Sequence, residues 1–223
     1  MLHVSETWRA AYPGASIGLL AMRGVSNPEH HPLLEQRKAE LQAELRSRYG
    51  GLERAQLKAH PVLQAYGAYY RRFGKTYHLQ LQLESVVLKG RPLPGAAALV
   101  EAMFMAELKS LLLTAGHDLD ALRGRPSVEA ATGEESYTTL SGQQQGLKAG
   151  DMFIRDQESV LSSVLYGPDS RTRLTSATTG VLFTVYVPAG IEAALVEEHL
   201  ASIKDNVLLV APSAEILFIG VRG

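Results

Sequence analysis

The chain has 223 residues, of which 46% are hydrophobic and 20% are charged, and its formal net charge is −1. This composition is typical of a globular protein with a sizeable buried core. It excludes disulfides, thiolate metal sites and cysteine nucleophiles, because the chain contains no cysteine. It also lacks the basic excess that nucleic-acid binders usually carry, so any RNA contact needs a local basic patch.

No apolar run reaches the roughly 18 residues expected of a membrane-spanning helix. The first fifteen residues, MLHVSETWRAAYPGA, lack the basic segment and apolar core of a secretory signal. We therefore expect a cytoplasmic protein without a membrane partner.

The first third of the chain predicts one strand and two helices. The apolar run Ala15–Met22 predicts a strand, and helical spacing of leucines predicts a helix over residues 29–49 that ends at Gly50. Pro61 opens a second helix that runs to Gly74. The segment Thr76–Gly90 fits both strand alternation and a helical face, and we predict a helix because Leu and Gln favour it.

The remainder changes from helix to short strands. Pro92 and Pro94 precede a predicted long helix, Ala96 to about Leu113, and another helix is predicted over Ile191–Lys204. This order indicates an α+β fold, with a helical N-terminal half packed on a mostly antiparallel sheet. The predicted strands are SVEAAT, SYTTL, DMFIRD, SVLSSVLY, GVLFTVYV, VLLV and AEILFIG, separated by glycine-rich turns.

A polar cluster, AGHDLD, follows the predicted long helix and contains His117. An imidazole at the end of an apolar helix could project into a cleft and orient a water molecule. The alternative is a histidine that only faces the negative end of the helix, with Asp118 and Asp120 capping the next turn.

The segment YGPDSRTR combines Tyr166, Gly167, Arg171 and Arg173. In an extended segment the two arginines point the same way and form a fork that holds a carboxylate or phosphate. These four residues are therefore candidate ligand-binding residues. The alternative is a solvated hairpin loop.

A basic cluster at the end of the second helix consists of Arg71, Arg72 and Lys75, which we consider candidate phosphate contacts. The alternative is a solvated helix end. No metalloprotease spacing, phosphate loop or dinucleotide fingerprint is present, and His30-His31 is read as a surface pair. We expect no metal and no cofactor.

Three collinear blocks carry a resemblance to a known family. LVEAMFMAELKSLLLTAGHDLDAL (Leu99–Leu122), GEESYTTLSGQQQGLKAGDMFIRD (Gly133–Asp156) and VLYGPDSRTR (Val164–Arg173) resemble the B3/B4 editing domain of the bacterial phenylalanyl-tRNA synthetase beta subunit. The resemblance implies two intertwined sublobes around a central pocket. It places the core at residues 76–223 and makes residues 1–75 an extension of the same globule. Family members hydrolyse tyrosine wrongly attached to phenylalanine tRNA.

The chain departs from this family at the polar positions of the pocket. The family's histidine falls on Ala115, two positions before His117, and its glutamate falls on Pro168, next to Asp169. An asparagine and a tyrosine of the family's helix are replaced by Phe104 and Met105. His117 and Asp169 remain the catalytic candidates, but a two-residue shift on a helix rotates a side chain by about 200°.

Two hypotheses follow. The first is a free-standing module that binds the acceptor end of tRNA and deacylates mischarged aminoacyl-tRNA, with His117 orienting the water. In this hypothesis the basic cluster Arg71, Arg72 and Lys75 binds the tRNA. The second is a binding module that has kept the pocket for an amino acid or related small molecule and has lost hydrolysis. A structural or protein-interaction role is a third, weaker option. The sequence predicts no oligomeric state.

Overall fold

The computed structural model describes residues 2–223 and has an α+β fold. Residues 2–223 contain no helix that combines the length and the apolar character needed to span a lipid bilayer. The α-helices of this range are α1 Glu6–Ala11, α2 Pro32–Tyr49, α3 Arg54–Lys58, α4 Pro61–Arg71, α5 His78–Val87, α6 Ala98–Ser110 and α7 Ala193–Val210, with a short 3₁₀ helix at Leu119–Ala121.

Two main sheets and one hairpin organise the strands. An antiparallel four-stranded sheet has the order β11-β2-β10-β3, and a five-stranded sheet has the order β1-β4-β7-β8-β9 with only β1 and β4 parallel. The hairpin is β5-β6. The strands are β1 His3–Val4, β2 Ser16–Arg23, β3 Leu113–Asp118, β4 Ser127–Ala130, β5 Ser136–Thr138, β6 Gln144–Gly146, β7 Met152–Arg155, β8 Val160–Ser163, β9 Gly167–Pro168, β10 Gly180–Val187 and β11 Glu215–Arg222.

The four-stranded sheet lies between the helices and the five-stranded sheet. On one face, Thr114 of β3 contacts His199 of α7, and on the other face His117 of β3 contacts Ser162 of β8. These two β3 residues are three positions apart, so strand alternation directs them to opposite faces. All eight residues of β10 are buried, as a strand covered on both faces requires.

Several sequence predictions are confirmed. The predicted strand at Ala15–Met22 corresponds to β2, and the predicted helix over residues 29–49 corresponds to α2, which begins with Pro32 in its first turn. The ambiguous segment Thr76–Gly90 is helical, as α5. Its leucines 79 and 83 are buried four residues apart, which the helical face explains.

The predicted long helix, Ala96 to Leu113, is too long at its C-terminal end. Helix α6 ends at Ser110, where Leu111 adopts a left-handed conformation with φ of 65° and terminates the helix. The chain then turns into β3, which pairs with β10. His117 therefore lies within a strand and does not follow a helix end.

The predicted strand VLLV is also wrong. Helix α7 continues through these residues to Val210, because Val207 extends the buried face formed by Ile203 and Leu200. Pro212 follows the helix end and cannot continue it. The segment AEILFIG forms most of β11.

The N-terminal residues are interleaved with the rest of the fold. Strand β2 pairs on one side with β10 and on the other with β11. Leu34 of α2 and Tyr66 of α4 belong to the same hydrophobic core as β3 and β10. Residues 2–75 thus share one core with the remainder of the described chain.

Tyr66 connects α4 to the four-stranded sheet. Its hydroxyl donates to the carbonyl of Tyr186 and accepts a hydrogen bond from the backbone N–H of Leu113 at 3.0 Å. Its ring stacks on Tyr77 with the centroids 4.3 Å apart. Burial raises the pKa of Tyr66 far above its ordinary value, so the phenol remains protonated and keeps both contacts.

We expect Tyr66→Phe to lower the free energy of unfolding by about 1–3 kcal/mol, because two buried backbone groups lose their partner. Tyr49→Phe is the matched control, since the buried Tyr49 hydroxyl has no hydrogen-bond partner within the described residues. Urea unfolding of both variants provides the measurement. Equal destabilisation by the two substitutions would contradict the role assigned to Tyr66.

Candidate functional site

A buried polar cluster lies between the two main sheets. We call it the His117 cluster, and it consists of His117, Ser162, Asp169, Thr172 and Tyr186. His117 contacts Thr172 Oγ1 through Nδ1 at 2.8 Å and Ser162 Oγ through Nε2 at 3.1 Å. The Tyr186 hydroxyl lies 2.8 Å from Ser162 Oγ, and the Thr172 hydroxyl donates to Asp169 Oδ1.

Chemistry assigns one direction to these hydrogen bonds. The Thr172 hydroxyl donates its one proton to Asp169 Oδ1, so it can only accept from His117 Nδ1–H. The other ring nitrogen, Nε2, then accepts from the Ser162 hydroxyl, and the Tyr186 hydroxyl shares its one proton between Ser162 Oγ at 2.8 Å and the Ser162 carbonyl at 2.9 Å. A neutral His117 therefore satisfies every one of these contacts.

His117 is fully buried, and its environment opposes protonation. Burial, with a further contribution from the nearby Arg171 charge, lowers the pKa of His117 from 6.5 to about 3. Such an imidazole is a weak base at neutral pH. His117 is therefore a neutral histidine with both ring nitrogens hydrogen-bonded. It does not project into a cleft, as one interpretation of the sequence expected.

The second catalytic candidate, Asp169, lies close to His117 but is not bonded to it. Its Oδ1 is 3.9 Å from His117 Nδ1, with the Thr172 hydroxyl between them. Burial raises the pKa of Asp169, and hydrogen bonds from Thr172 oppose that rise. The two candidates thus share one cluster through Thr172.

The predicted arginine fork does not form. The chain turns at residues 171 and 172, which leaves Arg173 exposed while the Arg171 side chain points inward. Arg171 donates to the carbonyl of Ala121 at 2.6 Å, to Asp156 Oδ2 at 2.8 Å and to Ser159 Oγ at 3.2 Å. Its guanidinium is therefore engaged in holding loops together.

Tyr166 and Gly167 lie next to a residue from the other predicted set. Lys75 Nζ is 4.0 Å from the centre of the Tyr166 ring, a cation–π distance. The Gly167 carbonyl accepts a hydrogen bond from the Tyr137 hydroxyl at 2.7 Å. The structure thus joins a predicted tRNA contact, Lys75, to a predicted ligand contact, Tyr166.

A cationic groove of about 640 Å³ lies between α3, α4 and α5. Its positively charged lining residues are Arg54, Lys58, Arg71 and Lys75, and no Asp or Glu is among the residues that line it. Arg54 is paired with the carboxylate of Glu84 at 2.9 Å, and Glu84 is not among the lining residues. The described side chains thus give the groove an excess of positive charge.

Arg72 belongs elsewhere. Its guanidinium lies 5.3 Å from the centre of the Tyr12 ring and 5.9 Å from that of Tyr69, and it lines a separate groove of about 230 Å³. The basic cluster expected from the sequence is therefore split, with Arg71 and Lys75 together and Arg72 on another surface.

Sequence reasoning missed Arg54 and Lys58, although a signal for them exists. Residues 54–83 contain five Lys or Arg residues and no Asp or Glu. If charged residues are counted over this whole window, and not only at the end of one helix, the count identifies all the cations that line the groove. Asp151 was also missed: it is buried, it accepts a hydrogen bond from Tyr69 at 2.6 Å, and burial raises its pKa to about 6.

A third groove, of about 660 Å³, lies among α2, α6 and α7. It carries basic and acidic side chains together, including Lys109 and Glu198, and His199 forms part of its wall. No residue of the His117 cluster lines this groove or either of the two named above. Residues 2–223 also contain no group of three His, Asp or Glu side chains placed to hold a metal ion.

Comparison with known proteins gives two findings. The family model described as the B3/4 domain matches residues 64–202. Among solved structures, an N-terminal fragment of the phenylalanyl-tRNA synthetase beta subunit from Pyrococcus horikoshii is similar, with a TM-score of 0.52 and 13% sequence identity. That alignment covers 97% of this chain and 50% of the fragment, so the chain spans half the fragment's length. No curated protein matches the chain.

At 13% identity the structural similarity establishes the fold alone. The α+β architecture expected from the sequence is confirmed by this neighbour and by the strand order. The roles of individual side chains rest on the geometry described above.

We expect His117 to make the protein sensitive to acid. Its pKa is about 3 when folded and 6.5 in the unfolded reference, so the native state binds fewer protons between these values. Its contribution to stability is complete above pH 6.5 and is lost as the pH falls towards 3, at about 1.4 kcal/mol per pH unit. His117→Gln should reduce the slope of unfolding free energy against pH by this amount between pH 6 and 4.

The control is His30→Gln, because His30 is exposed. Its slope should match that of the unmodified protein in urea unfolding at each pH. An unchanged slope in His117→Gln would show that His117 is not held neutral by the fold.

Proposed function

The chain belongs to the B3/4 domain family, and on this premise we propose that it binds tRNA through the cationic groove. The observation that carries the proposal is the set Arg54, Lys58, Arg71 and Lys75, which lines one groove without a carboxylate. Phosphate neutralisation supplies much of the affinity of proteins for nucleic acids. A local groove of this kind meets that need in a chain whose net charge is only −1.

Two of the groove's cations are available for new contacts. Arg71 and Lys58 are exposed, and neither forms a side-chain hydrogen bond or ion pair within the described residues. Lys75 is half-buried, and burial together with nearby Lys148 lowers its pKa. A phosphate would relieve this electrostatic cost by supplying the opposite charge.

The acceptor end is proposed to approach Tyr166 and Gly167. Lys75 lines the groove and also contacts the Tyr166 ring, so it marks a direct path between the two. Gly167 has φ of 77° and presents its backbone without a side chain, which allows a close approach. These residues are the proposed contacts of the terminal aminoacyl group.

Our proposal is binding without ester hydrolysis. A hydrolytic centre needs a base that reaches the attacking water, whereas both nitrogens of His117 are occupied and the side chain is fully buried. Arg171 is likewise held by Asp156 and by the carbonyl of Ala121. The geometry therefore supports recognition more strongly than catalysis.

We expect the double substitution Arg71→Ala/Lys75→Ala to weaken tRNA binding about tenfold. The slope of log affinity against log salt should fall by roughly 0.7–0.9 for each cation removed. Fluorescence anisotropy with labelled tRNA over a range of salt concentrations measures both quantities.

Arg72→Ala is the matched control, because Arg72 adjoins Arg71 in sequence but lines a different groove. It should leave the affinity and the salt slope nearly unchanged. Absence of tRNA binding by the unmodified protein would refute the proposal, and so would equal loss of affinity in the control.

A separate measurement addresses catalysis. Purified protein incubated with mischarged aminoacyl-tRNA should not accelerate release of the amino acid above the rate without protein. Acid precipitation of radiolabelled aminoacyl-tRNA follows this loss. An acceleration that His117→Gln abolishes would overturn the assignment of binding without hydrolysis.

A further inference from the structure

Strand β11 is an open edge with an apolar surface. Within residues 2–223 it pairs only with β2, so its other side presents unpaired backbone groups. Three large apolar side chains on it are exposed: Ile216 at 41%, Leu217 at 47% and Ile219 at 41%. Natural proteins usually shield such edges with charge, proline or a covering element.

We propose that β11 is a dimerisation strand that pairs antiparallel with β11 of a second copy of this chain. The two-fold axis passes through Ile219, and the two four-stranded sheets join into one of eight strands. This inference is independent of the proposed tRNA binding.

The register follows from the pairing of β11 with β2. Seven residues of β11 pair with successive residues of β2, whereas Leu217 is the additional residue of a β-bulge between Ile216 and Phe218. The central member of these seven is Ile219. A symmetric antiparallel pair needs equal numbers of paired residues on each side of its axis, and only Ile219 satisfies this over the whole strand.

The side chains complement one another in this register. Ile219 faces its own copy, Ile216 faces Val221, and Phe218 faces Gly220. Glu215 faces Arg222 at both ends, which gives two opposite-charge cross-strand pairs.

The charges at the strand ends identify the partner as a second copy. Glu215 forms no side-chain ion pair within the described residues, and Arg222 contacts only its neighbours, the Val221 carbonyl at 2.9 Å and the Phe218 ring at 5.0 Å. A strand with an acidic residue at one end and a basic residue at the other is complementary in charge to an antiparallel copy of itself. Such self-complementarity is the property of an isologous interface.

The test is the mass of the purified protein in solution, measured by light scattering and by sedimentation over a range of concentrations. The unmodified chain should approach twice 24.2 kDa as its concentration rises. Ile219→Lys should give the monomer mass, since it places two like charges against each other on the axis. Leu140→Lys is the control, because Leu140 is also exposed, at 55%, but follows the β5 strand of the separate hairpin.

Charge reversal tests the register. Glu215→Arg and Arg222→Glu should each raise the dimer dissociation constant about tenfold, and the double variant should restore it. Circular dichroism melts establish that each variant is folded. A monomeric unmodified protein, a dimer that survives Ile219→Lys, or a failure of the double variant to restore association would each overturn the proposal.

Discussion

The fold depends on the burial of its central strands. Strands β10 and β3 lie between helices on one face and the five-stranded sheet on the other, so their polar side chains Thr114, His117 and Thr184 are buried away from water. Each such group must find a partner within the protein, since an unpaired buried polar group costs about 1–3 kcal/mol. His117 and His199 both meet this requirement, each with hydroxyl groups on its two ring nitrogens.

This requirement separates the polar interior from the surfaces that remain available to a partner. The polar groups of the His117 cluster are hydrogen-bonded to one another. The two ring nitrogens of His199 are likewise hydrogen-bonded to the hydroxyl groups of Ser110 and Thr114. The cationic groove, by contrast, is built on the N-terminal helices, where Arg71 and Lys58 face solvent. The buried polar cluster and the groove proposed to bind tRNA therefore lie in different parts of the fold.

The sequence predicted the elements well where one periodicity dominated. Helix α2, helix α5 and strand β2 follow from the spacing of their buried residues. The errors arose at two apolar runs that fit more than one structure: Leu111–Leu113 was assigned to a helix, and VLLV to a strand. Tertiary packing decided both, through the left-handed turn at Leu111 and the continued burial of Val207.

The candidate site was less predictable because it depends on distant contacts. His117 was identified as chemically unusual, but its burial is set by Ser162 and Thr172, which lie 45 and 55 residues away. The arginine fork assumed an extended segment, whereas a turn at residues 171 and 172 separates the two side chains. Side chains alternate regularly only while the chain stays extended, so this pattern could not predict the turn that separates Arg171 from Arg173.

The position of β2 has a consequence for the order of folding. Both of its neighbours, β10 and β11, begin at residue 180 or later, so β2 has a large sequence separation from each strand that it contacts. Such contacts raise the contact order and slow folding. During synthesis, the apolar segment from Ile17 to Met22 must wait more than 150 residues for its first partner strand. A growing chain therefore exposes an aggregation-prone strand early, and a chaperone that binds extended apolar segments would protect it until β10 emerges.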